Sequence, residues 1–138
     1  MSVSNLDHLN ISVGNFMETV DWYGKIFGFI LVEKGIQDKR SWGVLQKGDA
    51  LLCIYEQPDL VSKDRFQMAE ASLHYLAHFG LRIDDQKVWE ETIKRENVHV
   101  LYGGPIRWPK SISWYIKDPT GWEIEVVLWD NNKIQFES

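Results

Sequence analysis

Two histidines occupy matching positions in two similar segments of the chain. His8 lies in "LDHLNISV" at 6–13, and His78 lies in "LAHFGLRI" at 76–83, seventy positions further along. In both segments apolar residues alternate with polar or small ones after the histidine. A neutral imidazole is a common protein ligand of transition metals. A single histidine on a strand is usually an ordinary structural residue, but the repetition favours a metal site.

A third polar group lies near the end of the chain. In "WEIEVVLW", after the turn sequence "DPTG", Glu123 and Glu125 alternate with Ile124 and Val126. A carboxylate within a strand needs a reason, because burying an unpaired charge is costly. Two imidazoles and one carboxylate that converge would form a facial metal site with open coordination positions. Such a set suits one divalent ion of Fe, Mn, Zn or Ni.

The elements that must position these groups form one pattern that occurs twice. The first copy is a strand, a helix and three further strands. Asn15 is a suitable N-cap for the helix, with Glu18 three residues on, and Gly28 suits its C-terminal end. The spacing predicts an apolar helix stripe. It comprises Phe16, Val20, Tyr23 and Phe27.

The second copy restarts after an irregular segment at 57–73. It predicts a strand over 74–83, a helix capped by Asp84 or Asp85, and a strand over 98–104. A loop follows at 105–110, and then a hairpin around "DPTG". The expected apolar anchors of this helix are Val88, Trp89 and Ile93.

We therefore predict an α+β fold in a single domain, 1–138. It would contain two βαβββ modules, about 5–56 and 74–129, joined by a linker at 57–73. Pseudo-two-fold symmetry would relate the modules and form a cupped mixed sheet with the helices outside. Because side chains alternate along a strand, one parity should face the helices and the other the cup. The cup-facing residues would be His8, Asn10 and Ser12, with His78, Gly80 and Arg82.

Several neighbours of the histidines could contact a substrate. Asn10, Ser12 and Arg82 share their face, although Arg82 could equally pair with Glu123 or another carboxylate. Aromatic residues could line the pocket or belong to the core. These candidates for substrate binding are Tyr55, Trp42 and Tyr115.

The composition limits the possible function classes. The 138 residues are 44% hydrophobic and 25% charged, with a formal net charge of −5, which is typical of a folded domain and unfavourable for nucleic-acid binding. The apolar runs are too short to span a bilayer, and the N-terminal residues lack signal-peptide features. Cys53 is the only cysteine, so no intrachain disulfide can form. We expect a cytoplasmic protein that binds neither nucleic acid nor membrane.

Three segments resemble the vicinal oxygen chelate superfamily, which includes glyoxalase I, extradiol dioxygenases and bleomycin-resistance proteins. They are "LDHLNISVGNFMETVDWYGKIFGF", "HFGLRI" and "YIKDPTGWEIEVV", and the resemblance covers about 5–129. It implies that His8, His78 and Glu125 are the metal ligands. It also implies a metal-dependent lyase, isomerase or dioxygenase that acts on a small oxygenated substrate. The metal would act as a Lewis acid that stabilises an anionic intermediate.

Some members of this superfamily add a fourth ligand from the strand that ends the first half. Aligning the "SW" at 41–42 with the "SW" at 113–114 places Cys53 opposite Glu125, and Glu56 lies three residues further on. An unbroken strand would put Glu56 on the other face, whereas a bulge could reverse this. If Glu56 points inward, it is an alternative fourth ligand and the best available catalytic base.

The resemblance also leaves an alternative function. Bleomycin-resistance proteins share the fold, lack the metal ligands and sequester a drug without catalysis. The aromatic content of this chain would suit such a role, whereas the three candidate ligands argue against it. By the same resemblance we expect a homodimer.

Overall fold

The computed structural model describes residues 1–137, and Ser138 lies outside the described residues. The chain divides into two compact units, Met1–Ser62 and a second unit that begins at Lys63. Each unit contains a four-stranded mixed sheet with a helix between its first two strands, and the order of the strands is the same in both. The predicted α+β fold class with two βαβββ modules is thus confirmed.

The sheet of the first unit has the strand order β1-β4-β3-β2. The first strand runs parallel to the fourth, and the other pairs are antiparallel. The elements are β1 (Leu9–Val13), α1 (Phe16–Phe27), β2 (Ile30–Gln37), β3 (Arg40–Lys47) and β4 (Ala50–Glu56).

Both ends of α1 follow from the sequence. The side chain of Asn15 accepts a hydrogen bond from the backbone N–H of Glu18 at 2.9 Å, as an N-cap does. Gly28 ends the helix in the left-handed conformation, with φ of 74°, which glycine adopts without steric cost. The predicted bounds of this helix are confirmed.

The buried stripe of α1 differs in part from the prediction. Phe16 and Tyr23 are buried as expected, but Val20 and Phe27 are only half-buried. Thr19 and Ile26 are buried in their place. Residues three and four positions apart lie on the same helix face. The spacing alone therefore did not distinguish Thr19 from Val20, or Ile26 from Phe27, as the buried residue. The Thr19 hydroxyl tolerates burial because it donates to the carbonyl of Asn15 at 2.6 Å.

The helix packs closely on the sheet at Gly43 of β3. A Cβ atom at this position would lie 2.8 Å from Leu31 Cδ1 and 3.0 Å from the ring of Phe16. A side chain at Gly43 would therefore force the side chains of Leu31 and Phe16 to shift. The core on this side of the sheet includes Ile11, Val13, Leu45, Leu52 and Ile54.

The sheet of the second unit has the order β5-β8-β7-β6. The strand β5 runs parallel to β8, and β6, β7 and β8 are antiparallel neighbours. The elements are α2 (Arg65–Glu70), β5 (Phe79–Arg82), α3 (Gln86–Arg95), β6 (Ile106–Trp108), β7 (Ser111–Lys117) and β8 (Glu123–Trp129).

The segment predicted as a linker contains the short helix α2. Asp64 caps it by accepting the backbone N–H of Gln67 at 2.8 Å, and the Gln67 side chain accepts the backbone N–H of Asp64 at 2.9 Å. This reciprocal capping box satisfies two of the donors that a helix N-terminus leaves free.

The helix α3 begins after Asp85, which accepts the backbone N–H of Val88 at 3.0 Å. Of its predicted anchors, Trp89 is buried and Ile93 half-buried, but Val88 is 57% exposed. The prediction for Val88 was wrong because this residue lies on the solvent side of the first turn.

The predicted strand over 98–104 was also wrong. The chain is irregular there, and the strand β6 instead occupies part of the predicted loop. Tyr102, Gly103 and Gly104 all have positive φ, which an extended strand does not allow. Likewise, only the Phe79–Arg82 part of the predicted strand over 74–83 is regular.

The hairpin around "DPTG" is confirmed. The Asp118 carboxylate accepts the backbone N–H groups of Thr120, Gly121 and Trp122, each at 2.9 Å. This tight turn fixes where β8 begins. It therefore sets which residues of β8 lie opposite β5 and β7.

No helix within residues 1–137 is both long enough and apolar enough to cross a membrane.

Candidate metal site

In the second unit the structure brings His78 and Glu125 together. His78 directly precedes β5, and Glu125 lies on the neighbouring strand β8, paired in register with Gly80. The Nε2 atom of His78 lies 3.0 Å from Oε2 of Glu125. Two of the three predicted metal ligands therefore share one place.

The other oxygen of Glu125 is held by β7. Oε1 accepts a hydrogen bond from the Ser113 hydroxyl at 2.6 Å and from the Tyr115 hydroxyl at 3.2 Å. Since both donors contact Oε1, the carboxylate is oriented with Oε2 toward His78. Partners of this kind orient ligands in metal sites.

The distance between the two donor atoms fits adjacent ligands of one ion. With metal–ligand bonds of about 2.1 Å at right angles, two donors lie about 3.0 Å apart. His78 Nε2 and Glu125 Oε2 are separated by 3.0 Å. Within residues 1–137, however, no group of three His, Cys, Asp or Glu side chains is arranged to hold a metal. The pair thus fits two positions of a coordination sphere.

A second carboxylate lies beside the pair. Glu123 is two residues before Glu125 on β8, and its side chain is only 7% exposed. Its Oε1 accepts a hydrogen bond from the Tyr102 hydroxyl at 2.5 Å. Its Oε2 lies 3.6 Å from the Arg65 guanidinium and 3.9 Å from Nδ1 of His78.

Tyr102 reaches Glu123 from an unusual backbone conformation. Its φ is 59°, which is uncommon for a bulky side chain. Burial, together with the hydrogen bond and the charge of Glu123, raises the pKa of Tyr102 to about 12. The hydroxyl therefore stays protonated and donates at neutral pH.

Tyr115, a predicted substrate-binding residue, is buried in the second unit. Burial and the nearby Glu125 charge raise the pKa of its hydroxyl. Its ring also meets the His78 ring edge-on, with 5.7 Å between centroids. The structure thus assigns it contacts with both candidate ligands, and its contact with a substrate stays a prediction.

Two arginines of the second unit have partners outside the site. Arg82 is exposed and donates to the carbonyl of Asn132 at 3.2 Å. Arg107 forms a two-pronged ion pair with Asp130, with the shorter contact at 2.5 Å and the longer at 2.9 Å. The predicted role of Arg82 in substrate binding remains a prediction.

His8, the third predicted ligand, belongs to the first unit and directly precedes β1. Its Nδ1 lies 2.7 Å from Oδ2 of Asp7, and its side chain is 47% exposed. A carboxylate at Nδ1 favours the tautomer whose Nε2 is free to bind a metal. This arrangement is compatible with a ligand role for His8.

The other predicted contacts of the first unit share one sheet face. Register pairs Asn10 with Cys53, and it places Ser12, Tyr55 and Trp42 side by side. Paired residues on adjacent strands point to the same face. The Trp42 ring lies over Gly35, where a Cβ atom would approach it to 2.7 Å.

Glu56 lies on the opposite face of that sheet. It pairs with Val13, and its Oε2 accepts the backbone N–H of Phe16 at 2.7 Å. The carboxylate therefore satisfies a free donor at the N-terminus of α1. This placement does not support Glu56 as a base or a fourth ligand, and both roles remain sequence predictions.

Sequence reasoning missed three residues of the site in the second unit. Arg65 and Tyr102 lie in segments predicted as a linker and a strand, and no pattern marked either. Ser113 had a readable signal, since it shares the face of Tyr115 on β7. Glu123 was noted as a strand carboxylate and as a possible partner of Arg82, and the structure instead places it beside Tyr102, Arg65 and His78.

Comparisons with known proteins agree with this architecture. The family model described as the glyoxalase/bleomycin resistance protein/dioxygenase superfamily matches residues 5–126. The chain therefore belongs to this superfamily, as the sequence motifs predicted.

Solved structures at low sequence identity share the fold. A glyoxylase/bleomycin resistance protein/dioxygenase domain from Frankia sp. EAN1pec has a TM-score of 0.77 at 15% identity, over 96% of each chain. Lactoylglutathione lyase from Agrobacterium tumefaciens has a TM-score of 0.68 at 19% identity, over 97% of this chain and 100% of that one. The fosfomycin resistance protein FosX from Listeria monocytogenes, solved with Mn(II) and sulfate, has a TM-score of 0.68 at 17% identity, over 92% and 93%.

Proposed function

We propose that this protein is a metal-dependent enzyme that binds one divalent ion through His78 and Glu125. The sequence prediction adds His8 as the third ligand. The substrate would be a small molecule with neighbouring oxygen atoms, as in the lyase, isomerase or dioxygenase classes that the superfamily contains. The single observation that carries the proposal is the 3.0 Å approach of His78 Nε2 to an oriented carboxylate.

The chemistry of the pair also favours a cation. Glu123 and Glu125 both face the His78 ring, and the Arg65 guanidinium lies 3.6 Å from Oε2 of Glu123. Two carboxylates with one guanidinium leave an excess of negative charge in a partly buried place. A bound divalent ion would offset it and would supply Lewis-acid stabilisation of negative charge on substrate oxygens.

The surrounding residues have definite tasks in this proposal. Ser113 and Tyr115 hold Glu125 in one orientation, so that little reorganisation is needed on binding. Arg65, 33% exposed, presents its guanidinium beside the His78 ring and could bind an anionic substrate oxygen. Tyr102 stays neutral to high pH and can donate a hydrogen bond. No base is assigned.

The experiment is metal analysis of untagged protein, followed by titration with Mn²⁺ and Zn²⁺. We expect one ion per chain, and His78→Ala should weaken binding at least about 100-fold, since a ligand is removed. His74→Ala is the matched control, because His74 is exposed in the same unit. Protein that binds no divalent ion but retains a flat aromatic ligand would instead support the sequestering function.

We also propose a homodimer, on the strength of the superfamily resemblance alone. Light scattering after size-exclusion chromatography tests this directly. A mass that corresponds to one 16.2 kDa chain would contradict it.

A further inference from the structure

The carboxylate of Glu123 is buried but only half satisfied. Its side chain is 7% exposed, and Oε1 is taken by the Tyr102 hydroxyl. Oε2 accepts no hydrogen bond from any residue within 1–137. An unsatisfied charged oxygen of this kind costs stability unless another state of the protein gives it a partner.

The nearest groups identify that partner. Oε2 lies 3.6 Å from Arg65 and 3.9 Å from Nδ1 of His78. Arg65 Nη1 lies 3.5 Å from Nδ1 of His78. Because a guanidinium only donates, Nδ1 is the acceptor in this contact, and the ring proton is then on Nε2, which faces Oε2 of Glu125 at 3.0 Å. Oε2 of Glu123 therefore points toward the ring of a candidate ligand.

The strand β8 places a carboxylate at each nitrogen of this ring. Glu123 and Glu125 are two residues apart and so lie on the same face of the strand. Oε2 of Glu125 faces Nε2 at 3.0 Å, and Oε2 of Glu123 faces Nδ1 at 3.9 Å. The Asp118 turn fixes the start of β8 and thereby the position of both carboxylates.

Metal binding at Nε2 requires the ring proton to be on Nδ1. A ligating histidine usually donates this Nδ1–H to a carboxylate or a carbonyl, which fixes the tautomer and the ring orientation. A proton on Nδ1 would replace the hydrogen bond that Nδ1 accepts from Arg65, which must then turn away. Arg65 cannot accept this proton, because a guanidinium has only donors. Glu123 Oε2 is the acceptor that lies near this nitrogen.

We propose that Glu123 is the positioning residue for His78 and accepts its Nδ1–H when Nε2 serves as a metal ligand. This inference rests on the proposed function. A small rotation of the imidazole or the carboxylate brings the two atoms from 3.9 Å to hydrogen-bond distance. Tyr102 and Arg65 then hold the carboxylate rather than contact the ion.

The test compares Mn²⁺ and Zn²⁺ affinities of the wild-type chain and Glu123→Gln, measured by competition with a chelator. Glutamine keeps the size of the side chain and an oxygen for Tyr102. Because the glutamine amide is a weaker acceptor for Nδ1–H, we expect metal affinity to decrease about 10-fold. This is the lower limit of the usual effect of replacing a residue that hydrogen-bonds to a metal ligand. Asp130→Asn is the control, since it removes an ion-paired carboxylate elsewhere in the same unit.

A second readout separates positioning from a structural role. In Zn²⁺-loaded protein labelled with ¹⁵N-histidine, the Nδ1–H signal of His78 should be protected from exchange and shifted downfield. Its assignment comes from its loss in His78→Gln. In Glu123→Gln the Nδ1–H signal should shift upfield and exchange faster. The thermal unfolding temperature is measured as well, because a general structural defect would lower it without a specific change in this signal.

The outcomes distinguish the two proposals. If the wild-type chain binds no divalent ion, the proposed function fails and this inference fails with it. If the wild-type chain binds the ion, but Glu123→Gln matches it in affinity and in the Nδ1–H signal, only the positioning role is overturned.

Discussion

Cys53 and Glu125 occupy equivalent places in the two units. Cys53 pairs with Asn10, two residues after His8, and Glu125 pairs with Gly80, two residues after His78. The same strand order therefore presents a thiol in one unit and a carboxylate in the other. Burial, followed by the charges of Asp7 and Glu33, raises the pKa of the thiol.

The two histidines also differ in their carboxylate partners. His8 has Asp7, its own neighbour in sequence, which is 85% exposed. Ala77 precedes His78, and the nearby carboxylate comes instead from buried Glu123 on another strand. The duplicated scaffold thus conserves the position of the imidazole, while the supporting groups come from unrelated parts of the chain.

The largest expected effect is a loss of stability when equivalent core residues of the two units are truncated. The two losses should be similar, because the scaffolds are equivalent even though the sites are not. Leu52 pairs with Leu9 and Ile124 pairs with Phe79 at matching places, and both are buried. Replacing either by alanine should cost about 3 kcal/mol of unfolding free energy by chemical denaturation. A loss below about 1 kcal/mol in one unit alone would show that the two cores differ.

The next largest effect should be on metal affinity, and substitutions at the two equivalent positions should change it by different amounts. Glu125→Gln should weaken Zn²⁺ or Mn²⁺ binding about 100-fold, or about 2.7 kcal/mol, because it removes an anionic ligand. Cys53→Ser at the matching place should leave the affinity within about twofold of the wild type. Equal losses in calorimetric titrations of both variants would break the comparison.

A smaller effect concerns the bond between Tyr102 and Glu123, which has no equivalent in the first unit. At pH 7, Tyr102→Phe should lower the unfolding free energy by about 1.5 kcal/mol, since a hydrogen bond to a charged group is lost. The pKa of Tyr102 is raised to about 12 in the folded chain. Between about pH 10 and that value the unfolded tyrosine loses its proton while the folded one keeps it.

The contribution of the Tyr102 hydroxyl to the free energy of unfolding is therefore fully present below about pH 10 and decreases as the pH rises toward the pKa of the folded state. The difference between wild type and Tyr102→Phe should shrink toward pH 12 in denaturant unfolding. A difference that stays constant across this range would contradict the assigned hydrogen bond.

The smallest effect concerns Cys53 itself. Its raised pKa should make alkylation by iodoacetamide slower than that of free cysteine at pH 8, with a rate that still rises above pH 9. Asp7→Asn should speed the reaction about twofold, because one raising charge is removed. An unchanged rate would show that Asp7 does not act on the thiol.

The fold was largely readable because local signals and strand periodicity agreed. The Asn15 cap, the Gly28 stop and the Asp118 turn each lie where their residue types predicted. The duplication also predicted that Cys53 in the first unit occupies the position equivalent to Glu125 in the second. These features depend on interactions within a few residues or on a period of two.

The site was readable only in part, because its supporting contacts are distant in sequence. Tyr102 and Glu123 are 21 residues apart, and Arg65 and His78 are 13 apart on an irregular path. An unbroken strand correctly predicted the sheet face on which Glu56 lies. Its hydrogen bond from the backbone N–H of Phe16, however, joins residues 40 positions apart. No periodicity carries such information.

The location of Arg65 on α2 has a practical consequence for protein engineering. A hybrid in which 57–73 is exchanged for a flexible glycine–serine spacer would preserve every strand and both long helices. It would nevertheless delete the guanidinium beside His78 and Glu123. Such a chimera would keep the sheets yet lose the contacts of Arg65 with His78 and Glu123, so connector swaps in this scaffold should retain the Asp64–Gln67 turn.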